Sequence, residues 1–399
     1  MQTDCFVALT LFALTLFLST YTVGGGLRRR GKASRKHSKT KREIQALLDP
    51  PSIGLETLLI SRATPNTRLI RAFSLTNTFV NPSISMHSQF RADAEGLVRD
   101  ATRDWPHFIH STRDAVQATL PEPSNSLQFD HFIQSATLRI VLVGLLRVNL
   151  SMDELSTKGI DASSFLINKL WTASKSAFTT IDPVELQRLN KCLRRLIPDA
   201  NRYPNPLDFI VPAWETMWRV VATTVAHIEK DKRRDDLHDL MQDALDQGNF
   251  TVPHPTLSFS AMDCVNESIR LHPPSRRIAR DTSVFRYPAS LWPILQWFVP
   301  ATIEVADIQA FYLAKEVWGG DVNEFEPGRR RADRTLPSTS FAFGSQPMAC
   351  VASRWAPMAA AAIAASVLEA LNDSRYELQV GAQIGEREGW DGWSVRATT

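Results

Sequence analysis

Cysteine and histidine are among the residues of this chain that could ligate a metal or act as nucleophiles, and their spacing limits the chemistry open to them. The four cysteines are Cys5, Cys192, Cys264 and Cys350. They are far apart and form no CxxC pair, so the sequence predicts neither a zinc site nor a disulfide framework. The nine histidines show no HxxxH or HExxH spacing. A metal site built from protein ligands is therefore not expected, although one cysteine could hold the iron of a cofactor.

Cys350 lies in the segment FGSQPMACVA, residues 343–352, directly before a stretch rich in small residues that predicts a helix. This segment resembles the haem-binding loop of the cytochrome P450 family, Phe-Gly-x-Gly-x-Arg-x-Cys-x-Gly/Ala. The resemblance makes Cys350 the axial iron ligand and places Phe343, Gly344 and Ala352 in the haem-binding loop. The alternative interpretation is a buried structural cysteine before an Ala-rich core helix.

Two further segments resemble motifs that accompany this loop in the family. Residues 266–274, NESIRLHPP, resemble the ExxR helix, in which Glu267 and Arg270 share one helix face and can pair. Residues 325–329, FEPGR, resemble the Phe-x-Pro-x-Arg meander, whose arginine, here Arg329, joins that pair in a buried network. The resemblance implies that these three side chains lock the fold around the cysteine loop. An exposed ion pair, worth only about 0–1 kcal/mol, is the alternative for the first two.

Residues 212–216, PAWET, lie within a long apolar stretch, 206–230, that predicts a helix through the centre of a domain. They resemble the family's oxygen-activation motif, Ala/Gly-Gly-x-Asp/Glu-Thr. By this resemblance Glu215 and Thr216 are the catalytic pair that relays protons. Pro212 is expected to bend the helix. The alternative is a core helix in which Glu215 makes a private ion pair.

The match departs from the family pattern at positions that bind haem. Gln346 replaces the second loop glycine, and Met348, which cannot donate a hydrogen bond, replaces the usual Arg or His. The family's upstream helix usually carries a Trp-x-x-x-Arg motif whose arginine binds a haem propionate. This sequence contains no such motif. His87 is either a substitute or an ordinary surface histidine. Arg277, after the ExxR segment, matches the position from which family members reach a haem propionate.

The rest of the chain predicts a mainly α protein with small β-sheets. Apolar residues recur at helical spacing in four stretches. These stretches are residues 88–100, 128–148, 163–178 and 233–247. β-prone runs predict short strands. These runs are residues 284–287, 301–305 and 376–380. This α+β pattern agrees with the cytochrome P450 fold, in which haem lies between a long central helix and the helix after the cysteine loop. The part before residue 212 is shorter than usual for the family, so a reduced N-terminal lobe is expected.

The N-terminus differs in composition from the rest. Residues 5–23 are an uncharged apolar run, about the length of a membrane-spanning helix. Residues 28–42 contain nine Lys or Arg and no acid, which favours the cytoplasmic side and anionic membrane lipid. We therefore predict a short segment at 1–4, a signal anchor at 5–23, a flexible basic linker at 24–42 and a haem domain at 43–399. The expected location is the endoplasmic reticulum membrane, single-pass, with the haem domain cytoplasmic. A cleaved signal peptide is the alternative.

The net charge of +3 arises from that basic stretch. The remainder has more acidic than basic residues, so no nucleic-acid partner is expected.

The resemblance as a whole implies a haem-thiolate monooxygenase. Such an enzyme holds haem b, takes electrons from NADPH through NADPH–cytochrome P450 reductase and inserts one oxygen atom of O2 into a lipophilic small molecule. Two alternatives stay open. One is a haem-thiolate isomerase or dehydratase that needs no reductase, and the other is a related membrane protein that no longer holds haem. The sequence does not identify the substrate.

Overall fold

The structure is a computed structural model that describes residues 35–176 and 178–398, and these are mainly helical with two small β-sheets. The predicted class, mainly α with small sheets, is confirmed. The longer helices are α1 (Lys41–Leu48), α2 (Leu55–Phe73), α3 (Ile84–Arg103), α4 (Trp105–Gln117), α5 (Phe129–Ile140), α6 (Thr157–Ser174), α7 (Pro183–Leu196), α8 (Leu207–Lys230), α9 (Arg234–Gln242), α10 (Ala261–Leu271) and α11 (Trp355–Leu371). Short helical segments are Val141–Leu145, Asp243–Leu245, Thr282–Arg286, Ala289–Leu291, Trp292–Leu295, Ile308–Tyr312, Lys315–Trp318, Arg329–Ala332 and Thr339–Phe343.

The described residues also form two three-stranded sheets. The strands are β1 (Arg35–Ser38), β2 (Ser126–Gln128), β3 (Arg277–Asp281), β4 (Ile303–Asp307), β5 (Tyr376–Gln379) and β6 (Ser394–Ala397). The first sheet has the order β1-β4-β3, with β1 parallel and β3 antiparallel to β4. The second has the order β2-β6-β5 and is antiparallel throughout. β3 directly follows the segment that carries Glu267 and Arg270, so the first sheet borders the candidate site.

Helix α8 lies at the centre and packs against α5, α10 and α11. Its Trp214 and Trp218 are fully buried. Pro212 within the helix has no N–H to donate, which frees the carbonyl of Asp208 one turn earlier. The Asn77 side chain donates to that carbonyl at 2.8 Å. The irregularity in α8 is therefore satisfied by a tertiary contact rather than left unpaired.

The helix α11 follows the cysteine loop and is buried along almost its whole length. Alanines dominate its sequence, and small side chains allow close approach of α4, α8 and α10. Upstream, α10 begins with a capping box in which Ser260 and Asp263 satisfy each other's backbone N–H groups. The two helices nearest the cysteine and ExxR segments are thus firmly positioned.

The predicted helices are present with somewhat different ends, and β4 and β5 correspond to two of the predicted strands. The strand predicted at 284–287 is wrong. Asp281 accepts a hydrogen bond from the Ser283 N–H at 3.1 Å, and the chain turns into the 3-10 segment Thr282–Arg286. The basic linker predicted at 24–42 also needs correction, because its last part forms β1 and the start of α1. β1 is ordered by its parallel pairing with β4.

The predicted membrane-spanning segment, residues 5–23, lies outside the described residues. Among residues 35–176 and 178–398, no helix is long and apolar enough to cross a bilayer. Even α8 carries the charged residues Glu215 and Arg219 near its middle. The localisation inferred from the sequence is therefore corrected: a single-pass protein of the endoplasmic reticulum membrane is not supported.

Candidate functional site

Glu267, Arg270 and Arg329 meet in the protein interior. Arg270 donates from Nε and one terminal nitrogen to both carboxylate oxygens of Glu267, each at 2.8 Å. The Nε atom of Arg329 lies 3.5 Å from the same carboxylate. The three side chains are 5%, 0% and 9% exposed, respectively, so the exposed surface pair is not what the structure contains.

Backbone carbonyls complete this network. Arg270 donates to the carbonyls of Tyr312 at 3.0 Å and Val322 at 2.8 Å. Arg329 donates to the carbonyl of Trp318 at 3.2 Å and to the Asp321 side chain at 2.8 Å. A buried charge needs such partners to offset its desolvation. The network therefore ties α10 to the irregular segment that precedes the cysteine loop.

The cysteine loop is closed by a backbone hydrogen bond from Cys350 N–H to the Phe343 carbonyl at 2.8 Å. Gly344 has a φ of +77°, a conformation that favours glycine, and this explains its place at the turn. The Ala352 carbonyl accepts from Ala356 N–H at 2.7 Å, so the first turn of α11 begins shortly after the cysteine.

The Cys350 thiol faces a large cavity. Its side chain is exposed, and it lines a cavity of about 1140 Å³ together with Phe343, Gly344 and Ala352. Desolvation raises the pKa of the thiol, while a hydrogen bond from Ala352 N–H and the charge of Arg91 act in the opposite direction. The two opposing influences are those expected for a thiol that needs a positive partner to ionise.

Thr216 lies on the wall of the same cavity, on α8. Its hydroxyl donates to the Pro212 carbonyl at 3.4 Å, a long hydrogen bond. The residue is half-buried, as is Ala213, one turn before Thr216 on the cavity side. The predicted hydroxyl and the predicted thiolate ligand therefore share one cavity.

Glu215 lies on the cavity wall too, but it is held by two guanidinium groups. Arg219, one turn along α8, lies 3.3 Å from its carboxylate, and Arg387 makes a second ion pair with it. The carboxylate is 3% exposed. This arrangement is the ion-paired alternative, and it leaves Thr216 as the member of the predicted pair with a weakly held polar group on the cavity.

Arg277 lies at the start of β3 and lines the cavity. Its side chain is 63% exposed and its Nε lies 3.4 Å from Asp307. Two other arginines, Arg62 on α2 and Arg280 on β3, are each 6% exposed and line the cavity as well. Within the described residues, the Nε atoms of both are buried and have no hydrogen-bond partner. Burial lowers the pKa of Arg62 to about 9 and that of Arg280 to about 10, and Arg280 itself adds to the effect on Arg62.

These two arginines were not predicted from the sequence. Successive side chains of a strand alternate between its faces, so Arg280 points to the opposite face from Arg277. The sequence signal was an arginine that follows the apolar residues Ile278 and Ala279, and this pattern does not reveal which face of the strand is covered. Arg62 has no motif around it at all.

His87 is buried and is not the surface histidine that the sequence analysis considered. It is 5% exposed, and its Nδ1 lies 2.8 Å from the Thr78 hydroxyl, which also bonds Arg62. Arg91, one helical turn later on α3, donates to the Ala349 carbonyl in the cysteine loop at 3.2 Å. The i, i+4 spacing of these two residues was the signal that could have located this face of α3.

The sequence led us to expect that this chain binds a metal. The structure corrects that expectation for sites built from protein side chains. The parts of the chain that the structure describes contain no group of three or more His, Cys, Asp or Glu side chains that could hold a metal ion. No metal centre built from protein side chains is therefore supported. A single cysteine that ligates the iron of a porphyrin is a different arrangement, since the porphyrin supplies the other ligands.

Neither a comparison with models of known protein families nor a comparison with curated proteins finds a match for this chain. The resemblance to the cytochrome P450 family therefore depends on the four motifs and on how their residues are arranged.

Proposed function

We propose that this chain is a haem-thiolate protein with a cytochrome P450-like fold, and that it acts as a monooxygenase on a small, partly apolar molecule. The observation that carries the proposal is that the Cys350 thiol and the Thr216 hydroxyl line one cavity of about 1140 Å³. In the proposed arrangement haem lies between α8 and α11.

The residues around the cavity suit a haem. Pockets for one drug-sized ligand have volumes of about 300–1,000 Å³, so this cavity is large enough for more than such a ligand alone. The Cys350 thiol is exposed to it, and Ala352 N–H is directed at the sulfur. The buried cations Arg62 and Arg280 lack anionic partners among the described residues, and propionate groups would supply them.

Each residue then has a separate task. Cys350 would ligate the iron, Arg62 and Arg280 would hold the propionates, and Phe343 and Gly344 would shape the loop beneath the ring. When bound, haem would supply the activation of dioxygen, and NADPH–cytochrome P450 reductase would supply the electrons. The buried network of Glu267, Arg270 and Arg329 would hold the loop in place.

Proton transfer in the cavity is assigned to Thr216. Its Oγ1 is only weakly held by the Pro212 carbonyl, so it can turn and donate a hydrogen bond into the cavity. Glu215 instead neutralises Arg219 and Arg387. Its carboxylate is therefore engaged in two ion pairs, and Thr216 is the member of the predicted pair that is left to donate into the cavity.

The test is a reduced-CO difference spectrum of the purified full-length chain. We expect the Soret shift that is characteristic of thiolate-ligated haem. The Cys350→Ala variant should fold yet lose this signal, because no other residue in the loop supplies a thiolate. The matched control is Cys192→Ala on α7, a half-buried cysteine that does not line the cavity.

Two results would refute the proposal. Folded wild-type protein without any haem-derived band would show that the cavity does not take haem. An unchanged thiolate signal in Cys350→Ala would show that another residue is the ligand.

A haem-thiolate isomerase or dehydratase is a second candidate, and the ion pairs of Glu215 favour it. Such an enzyme rearranges a substrate that already carries oxygen and needs no acid to relay protons to dioxygen. Oxygen consumption that depends on NADPH and reductase would support the monooxygenase. Conversion of an oxygenated substrate without NADPH would support the second candidate.

A further inference from the structure

A second group of cationic side chains lines the cavity, separate from the arginines assigned to haem. Its members come from α2, α6, α8, the segment after α10 and the loop between β5 and β6. They are Arg68, Lys175, Arg219, Arg276 and Arg387. Five chain segments that are distant in sequence thus bring positive charge to one part of the cavity wall.

Nearby carboxylates compensate this charge only in part. Glu215 pairs with Arg219 and Arg387, and Glu386 pairs with Arg276. Glu388 acts on Arg387 through its charge. Three carboxylates therefore face five cations, and the group keeps an excess of positive charge.

The excess is concentrated at Arg68 and Lys175. Among the residues that the structure describes, neither side chain has a carboxylate partner, and Arg68 donates instead to the Ser174 hydroxyl at 2.6 Å. Burial lowers the pKa of Arg68. The pKa of Lys175 is lowered by desolvation first and then by the neighbouring arginines. Lys175 is exposed and Arg68 is half-buried, so water screens part of their repulsion, and an anion bound between them would remove the rest.

Trp171 on α6 fixes the geometry of this cluster. The guanidinium groups of Arg68 and Arg387 lie over its ring, 4.8 Å and 5.0 Å from the ring centroid. A guanidinium that stacks on an aromatic face keeps its N–H edge available for a planar anion. The Lys175 ammonium lies on the same cavity wall, one turn after Trp171.

The remainder of the wall is largely apolar, with Leu69, Phe79, Phe90, Val98 and Phe209. We propose that the cavity binds an amphipathic carboxylic acid, with its carboxylate at Arg68 and Lys175 and its hydrocarbon part against these side chains. The carboxylate would accept charge-assisted hydrogen bonds from both cations. Treating this molecule as the substrate rests on the proposed function, whereas binding itself does not require haem.

The test is isothermal titration calorimetry of the purified full-length chain with dodecanoate and with 1-dodecanol, which share the hydrocarbon chain and differ in charge. Wild-type protein should bind dodecanoate at least about tenfold more tightly than the alcohol. Lys175→Gln should weaken dodecanoate binding by about tenfold and leave dodecanol binding unchanged. Lys158→Gln is the matched control, because Lys158 is an exposed lysine at the other end of α6 and does not line the cavity.

Equal affinity of wild-type protein for the acid and the alcohol would overturn the inference, as would unchanged dodecanoate binding in Lys175→Gln. Haem content is measured on every sample. Loss of haem in Lys175→Gln but not in Lys158→Gln would mean that the cluster holds propionates, and this also overturns the inference. Selective dodecanoate binding to protein that never takes up haem would support the anion site and contradict only the proposed function.

Discussion

Two buried glutamates of this protein are each held by a pair of arginines. Glu267 contacts Arg270 and Arg329, and Glu215 contacts Arg219 and Arg387. The glutamates are 5% and 3% exposed, so burial does not distinguish them. The surroundings of the arginines do.

Around Glu267 the protein itself completes the site. Arg270 directs its remaining N–H groups at backbone carbonyls, and the Glu326 N–H donates to the carboxylate at 3.2 Å. The adjoining pocket has a volume of about 10 Å³, near the lower limit for a single water molecule. No ligand could replace a missing partner in this place.

Around Glu215 the neighbour is the cavity of about 1140 Å³. The Arg219 Nε is buried and has no hydrogen-bond partner among the described residues. One glutamate and two arginines therefore produce a rigid brace in one place and, in the other, a charged wall that water or a ligand can reach. Local composition alone does not separate a structural network from a binding site.

The largest expected effect is that of Arg270→Met. It leaves Glu267 buried without its bidentate partner, which should lower the free energy of unfolding by about 3–5 kcal/mol. Denaturant unfolding followed by circular dichroism measures this loss. The control is Arg113→Met, which breaks an exposed pair with Glu369. A similarly small change in both variants would show that the network does not brace the fold.

Glu215→Gln should have a smaller effect, about 1–3 kcal/mol. The two arginines lose their carboxylate, but water and anions in the cavity can compensate them. Dodecanoate should therefore restore part of the lost stability by binding to the folded state. The matched variant is Glu267→Gln, measured in the same unfolding assay. We expect it to lose more stability and to gain from dodecanoate only what wild-type protein gains, whereas Glu215→Gln should gain more because its arginines are left without their carboxylate. Equal gains in the two variants would erase the distinction between the networks.

The sequence separation of the residues in each network decides how much of that network could be predicted. Glu267 and Arg270 are one helical turn apart, and Arg329 belongs to a short specific segment, so motif reasoning brings them together. Arg219 lies one helical turn after Glu215, so the same reasoning could have predicted that these two residues pair. Arg387 lies in the loop between β5 and β6, and its approach to α8 depends on how distant segments pack.

The same limit applies to the cavity. The cysteine loop and Thr216 could be singled out because each lies in a motif. Arg62 and Arg68 lie on an ordinary helix and Lys175 directly follows another, and only packing directs them at the cavity. Helical periodicity predicted the mainly α class, whereas short strands such as β1 depend on a partner far away in the chain and leave little local signal.

The last prediction concerns two histidines that lie between the networks. The rings of His227 on α8 and His272 at the end of α10 are 5.1 Å apart, and His227 stacks on Phe325 at 4.7 Å. Burial lowers the pKa of His227 to about 3 and that of His272 to about 4. Arg270 adds to both shifts, and Arg219 adds to that of His272. The pair therefore senses the charge of both networks.

From pH 6.5, the ordinary histidine pKa, down towards pH 4, both imidazoles stay largely neutral in the folded protein, whereas those of the unfolded chain gain protons. The unfolded state then binds more protons, so the free energy of unfolding should fall as the pH falls from 6.5 towards 4. His227→Phe keeps a ring against Phe325 and removes one titrating group. Its pH profile, from denaturant unfolding, should be flatter by about 1.4 kcal/mol per pH unit. The control variant is His110→Gln, at an exposed position, and it should keep the wild-type slope. Parallel pH profiles for wild type and His227→Phe would contradict the placement of a neutral histidine between the two networks.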